Sequence, residues 1–245
     1  MVDKGSEGWV PPAGLARLLA GWVEPVMAEP RQPLADRIGQ WLPFTDALAL
    51  FSALKADLPM DGVAAGRHAH SGAALGAALD RLRRTIAEVI EPAPESEPSA
   101  TADDSDAQFG PYERLYLDRQ RLMATRIVPL RASIRATLAG QGPALRRLAA
   151  LDAVLERALA ARERDLLART PETLARRFRA LREARTSVSE PAQTWRATFW
   201  REFQATLQAE LDLRLRPVAG LLAALEAPDD GLPDLAPDST GPHLS

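Results

Sequence analysis

The sequence predicts an all-α fold. A small N-terminal cap of short helices precedes a bundle of long, proline-kinked antiparallel helices, and a disordered acidic linker and a disordered acidic tail complete the chain. Three observations predict this. Leucine and alanine supply most of the apolar residues, and alanine is the best helix former. Strand formers are scarce, with Phe, Trp and Tyr making 5% of 245 residues. Apolar residues also recur at steps of three and four through most stretches that glycine and proline leave uninterrupted.

The N-terminal region, residues 1–90, reads as three short helices and one heptad helix. The first opens at Pro11-Pro12, and Leu15, Leu18, Leu19, Trp22 and Val23 line one face. The second starts at Pro33, carries Leu34, Ile38, Trp41 and Leu42, and stops at Pro43. The third starts at Phe44-Thr45-Asp46, with Thr45 as cap, and continues through Leu48, Phe51 and Leu54. A loop over 55–70 holds Pro59, Gly62 and Gly66. Ser71 then caps a helix whose Leu75, Leu79, Leu82, Ile86 and Val89 form a seam about two heptads long. Such a seam is long enough to pack on another helix, and docking on the later bundle would merge the two regions.

Residues 91–108 are the natural boundary. They hold Glu91, Glu95, Glu97, Asp103, Asp104 and Asp106 with three prolines and no basic residue, so little apolar surface offsets the chain entropy. The long-helix bundle follows over 109–227. One helix runs from Pro111 to about Ala139, and Gly140-Gln141-Gly142-Pro143 stops it and starts the next, which reaches about Ala168. A joint this short between long helices makes an antiparallel hairpin. Thr170-Pro171-Glu172 starts a further helix with Thr170 as cap, striped by Leu174, Phe178 and Leu181. The last starts at Pro191, and Trp195, Phe199, Phe203, Leu207 and Leu211 recur every fourth residue. Pro129 and Pro217 fall inside apolar stripes that resume at once, which predicts kinks and not ends. Residues 228–245 are acidic and proline-rich, the expected disordered tail.

Charge is divided along the chain. Residues 111–185 hold 17 arginines against eight acids, whereas 1–110 and 186–245 are both acidic, for a net −3. No cysteine is present, which removes disulfides and thiolate chemistry. No run of about 18 apolar residues exists, so direct membrane insertion is not expected. The first apolar stretch contains Arg17 and lacks a basic leader, unlike a secretory signal. Together these predict a cytoplasmic protein.

No catalytic, cofactor-binding or metal site is legible. There is no Gly-x-Ser-x-Gly, no phosphate-cradling glycine loop and no His-Glu-x-x-His. His68 and His70 are clustered, but a metal site needs further ligands and only Asp61 is near in sequence. Asp152 falls near an apolar stripe, where burial demands an arginine partner. The expectation is therefore a protein that is not an enzyme and needs no cofactor.

Two features could carry interactions. Arg162, Arg164, Arg169, Arg176, Arg177, Arg179, Arg182 and Arg185 crowd one region, either as a phosphate-binding surface or as a solvated helix face balanced by acids. Trp195, Phe199 and Phe203 share a core stripe. Trp200, rotated about 100° from Phe199, is either a binding anchor at its edge or packed. The candidate interaction residues are accordingly Arg176, Arg177, Arg179 and Trp200.

Several segments together carry a resemblance. They are Pro30-Arg31-Gln32-Pro33 running into Gln40-Trp41-Leu42 and Thr45-Asp46-Ala47, then Tyr112 to Arg121, Leu151 to Glu156, Ala161 to Arg164, and Leu215 to Leu222. The chain resembles a proteobacterial helical family catalogued only as a domain of unknown function, over all but the linker and tail. Members of that family tend to be encoded beside cell-envelope proteins. The resemblance implies a cytoplasmic accessory of an envelope complex, and no site residues to carry over.

The functional expectation is a helical interaction or scaffold protein. Its partner would be a helical or coiled-coil protein, in a membrane-associated complex or as a second copy in a homo-oligomer. The alternative is a nucleic-acid-associated protein using the arginine-rich segment 146–185. Salt separates the two. A binder of several phosphates loses affinity by on the order of a thousandfold as salt rises roughly fourfold, while apolar helix pairing changes little. Replacing Arg176, Arg177 and Arg179 with alanine abolishes only the phosphate-dependent mode in a binding titration.

Overall fold

The computed structural model describes residues 14–22, 44–55, 71–91, 109–186 and 192–227. Among them every regular element is an α-helix: α1 (Leu15–Ala20), α2 (Phe44–Lys55), α3 (Gly72–Ile90), α4 (Gly110–Ala139), α5 (Pro143–Leu167), α6 (Thr170–Thr186) and α7 (Ala192–Glu226). The expected helix at 33–42, the loop with His68 and His70, the acidic linker beyond Glu91 and the tail from Pro228 lie outside the described residues.

Several starts and stops follow the local signals. Ser71 is extended and its Oγ accepts from the Ala74 N–H at 3.2 Å, which caps α3 as the sequence predicts. Two other caps differ. α2 begins at Phe44, so Thr45 sits in the first turn instead of ahead of it. α6 begins at Thr170 itself, because Ala168 keeps a right-handed helical backbone and only Ala168 and Arg169 separate α5 from α6. Pro129 and Pro217 both lie inside continuous helices, α4 and α7.

Side-chain pairs fix the directions of the rods. Arg146 Nε donates to the Ala139 carbonyl, Arg131 meets Asp152, and Gln120 Nε2 donates to the Leu167 carbonyl at 3.4 Å. Partners move apart in opposite senses from the joint, so α4 and α5 are the predicted antiparallel hairpin. α6 carries the return further, since Phe178 packs on Phe109 and Tyr112 at the start of α4. α5 and α6 therefore form one broken rod that retraces α4. This has a topological result. α7 comes back parallel to α4, with Tyr112 against Phe199 and Phe203, and Tyr116 bonded to Glu210. α3 runs antiparallel to α7, as Gly72 approaches Glu226 and Gln204 Nε2 donates to the Ile90 carbonyl at 3.3 Å.

The seam of α3 docks on α4 and α7, and Leu75, Leu79, Ile86 and Ile90 join the same buried cluster as the long helices. Ile90 is buried where Val89 had been expected to close the stripe. α1 lies on α7 and α2 on α5. The densest packing is an aromatic knot of Phe109, Tyr112, Phe178, Trp195, Phe199, Trp200 and Phe203, whose rings meet edge-on or tilted at about 5–6 Å, apart from two stacked pairs.

The hairpin is also locked by charge. Asp152 is buried, and Arg131 grips it with Nε at 2.9 Å and Nη2 at 2.6 Å. Arg135 bonds Asp152 at 2.9 Å and also Glu156. Burial disfavours the Arg135 cation, but the two carboxylates outweigh it and hold its pKa above the ordinary value. This is the arginine partner that the position of Asp152 in its stripe demands. Removing one member of such a set strands a buried charge, so Asp152→Ala lowers stability by about 3–5 kcal/mol in urea unfolding. The exposed pair Arg121–Asp118, at 3.1 Å, behaves differently. Asp118→Ala leaves the unfolding midpoint nearly unchanged.

Candidate functional site

Two of the four residues singled out in the sequence are occupied by the fold. Trp200 is buried, stacked on Phe203 at 5.4 Å and 11°. Arg177 forms a bidentate pair with Glu202, at 2.8 and 2.6 Å, and its guanidinium lies 5.8 Å over the Trp22 ring. The bonds to Glu202, working against burial, hold its pKa above the ordinary value. Arg176 and Arg179 are exposed on α6, and Arg176 reaches Thr173 Oγ1 only at 3.5 Å. The structure thus separates the arginine cluster into a structural member and solvent-facing ones.

The opening in the bundle lies elsewhere. α5 and α7 both pack on α4 but touch each other little, which leaves a groove whose floor is α4. Two cavities follow this floor. One, of about 460 Å³, lies over Glu113, Leu117 and Gln120 and is closed at the side by Leu167, Pro171 and Ala175, where the return rod breaks. The other, of about 620 Å³, lies over Ala124, Ile127 and Val128, between Leu159, Ala160 and Leu166 of α5 and Leu213 and Pro217 of α7. The floor positions advance by three and four residues, one continuous face of α4.

The second cavity is apolar and open. Val128 is 53% exposed and Leu166 52%, and both line it. Side chains of this size are normally covered by a neighbouring helix in a bundle, and here the groove leaves both uncovered among the described residues. Pro217 on its wall cannot donate to the Leu213 carbonyl, also on that wall. Around the rim stand Arg157 and Arg164, both exposed. Each donates Nε to a carbonyl of its own helix, at 3.3 and 3.2 Å, and neither meets a carboxylate among the described residues.

A buried polar network backs the groove. Glu210 of α7 has no exposed surface. Its carboxylate accepts from Tyr116 Oη at 2.7 Å, Gln120 Nε2 at 3.0 Å and Arg214 Nε at 2.9 Å. Burial, and then the adjacent Glu210 carboxylate, push the Tyr116 hydroxyl far above its ordinary pKa, so it keeps its proton and donates this hydrogen bond. Arg214 also reaches across to Glu163 of α5, Nη1 to Oε1 at 3.3 Å. No group of three or more His, Asp or Glu side chains among the described residues is placed to hold a metal ion. No described helix is long and apolar enough to cross a membrane.

Sequence reasoning missed Glu210, Arg214 and the groove. Glu210 and Arg214 are four apart on one helix, a spacing that reads equally well as an ordinary solvated pair.

Comparison with known proteins gives a family and no more. A family model described as Protein of unknown function (DUF3348) matches residues 1–227, and the chain belongs to that family. No curated protein and no solved structure matches it.

The network around Glu210 can be tested directly. Tyr116→Phe removes one donor to a buried carboxylate, and stability falls by about 1–3 kcal/mol in urea unfolding. A midpoint equal to that of the unaltered chain would mean that Gln120 and Arg214 satisfy the carboxylate alone.

Proposed function

We propose that this member of the family is a non-enzymatic interaction protein that holds a helix of another protein in the groove along α4. One observation carries the reading: Val128 and Leu166 stand half-exposed in an apolar slot bounded by three helices. Helix-in-groove recognition uses such a surface, with apolar anchors at helical spacing and a polar rim that sets register. The exposed arginines Arg157 and Arg164 supply that rim. The rigidity of the surroundings also supports it, since the Arg131/Arg135 cluster and the Glu210 network brace the floor from both sides.

In this reading the chain is a cytoplasmic accessory of a cell-envelope complex, and its partner is a helical or coiled-coil component of that complex. The resemblance described above suggests the setting, and the size and shape of the slot suggest the kind of partner. The nucleic-acid alternative retains only the exposed members of the arginine cluster, because Arg177 is held by Glu202.

A photo-reactive amino acid placed at Val128 or Leu166 in native cells tests the proposal. Adducts to one defined protein are expected from both positions, and none from a control at exposed Arg201 on α7. Leu166→Glu should abolish the adduct formed from position 128 while leaving the unfolding midpoint essentially unchanged, because the side chain is half in solvent already. Adducts that match the control, or that vanish on nuclease treatment, would overturn it.

A further inference from the structure

A side-chain bridge stands where the two cavities along α4 meet. Arg214 comes from α7 and Glu163 from α5, and they meet at 3.3 Å. The floor of one cavity ends at Gln120 and that of the other begins at Ala124, one helical turn on, while Arg164 and Arg214 line both.

The two ends of the bridge are held very differently. Arg214 is fixed by Glu210, with Nε at 2.9 Å and Nη2 at 2.8 Å, and its side chain is 18% exposed. Glu163 is 48% exposed and has Arg214 as its ion-pair partner. An exposed carboxylate gains little from its pair and loses little by returning to water, whereas parting Arg214 from Glu210 would strand a buried charge. The bridge therefore opens on the Glu163 side, and Arg214 remains in place with Nη1 directed into the groove.

We propose that the helix entering the groove carries a carboxylate of its own, which displaces Glu163 from Arg214 and is shared with Arg164. This deepens the reading of the groove as a helix-binding slot and rests on it. The charge around the slot favours it. Glu156, the other carboxylate on the larger cavity, is consumed by Arg131 and Arg135, which leaves Arg157, Arg164 and the freed Nη1 of Arg214 facing the occupant. At the far end of the smaller cavity Glu113 and Glu172 are exposed, so the same helix bears a neutral or basic residue there. The partner's recognition element is thus an amphipathic helix. An Asp or Glu lies midway along its apolar face, and apolar side chains sit over Ala124 and Val128.

Stapled helical peptides about four turns long provide the probe. They are built of leucine and alanine on one face and differ only in a central Glu, Gln or Lys. Fluorescence anisotropy is measured on the full chain and on its Glu163→Gln, Arg164→Ala and Val128→Glu variants. The expected result is that the Glu peptide binds about tenfold more tightly than the Gln peptide, as befits a charge-assisted bond. Glu163→Gln, which removes the competitor, should tighten the Glu peptide severalfold. Arg164→Ala should shrink its advantage, and Val128→Glu should abolish binding. Equal binding of the Glu and Gln peptides would overturn the carboxylate requirement and leave the slot as a helix site. Absence of binding by all three peptides would overturn the inference too. Only the loss of in-cell adducts at positions 128 and 166 would remove the slot itself.

Discussion

Glu210 is the constraint around which the long helices are arranged. A carboxylate with no exposed surface is tolerable only while hydrogen bonds and an opposite charge replace its water. Tyr116 and Gln120 come from α4, and Arg214 comes from one turn further along α7. These bonds fix the register of two helices that run parallel and share no loop. A slip of one residue would move both α4 donors off target at once, which apolar packing alone would tolerate more easily. The aromatic knot and the leucine stripes supply the burial, and the carboxylate supplies the alignment.

Much of the architecture was legible because its signals are local. The leucine stripes, the Ser71 cap, the Gly140–Pro143 joint and the survival of both helices through Pro129 and Pro217 all depend on residues within a turn or two of one another. The arginine partner of Asp152 could be anticipated as well, since a charge in an apolar stripe leaves few alternatives. The parallel pairing of α4 and α7 was not legible. It depends on α5 and α6 acting as one return rod across Ala168 and Arg169, and a helix start at Thr170 does not report which way the new helix runs. The groove was hidden for a related reason: periodicity shows that a helix has an apolar face, but not how many neighbours cover it. Trp200 is the converse, an apparent stripe-edge residue that Tyr112 and Phe203 enclose.

The groove itself is a product of the same geometry. α5 and α7 each follow α4 closely yet touch one another little, and the break after Leu167 lies beside the smaller of the two cavities. A surface of this kind does not come from poor packing. It lies between two of the most tightly bonded regions of the molecule, the Arg131/Arg135 cluster and the Glu210 network, so its walls are preorganised and a ligand would spend little affinity on ordering them.

The order in which contacts become available has a consequence for synthesis. The α4–α5 hairpin joins residues 7 to 47 apart, and it can form soon after its second arm leaves the ribosome. The contacts of α7 with α4 and α3 span 94 and 114 residues, and α1 also rests on α7. The parts of the α1, α3 and α4 faces that rest on α7 must therefore wait for its thirty-five residues. One wall of the slot is made of α7 too. A nascent polypeptide consequently has no competent slot until residues through Pro217 have emerged, and in that interval the side chains that α7 later covers remain open to water.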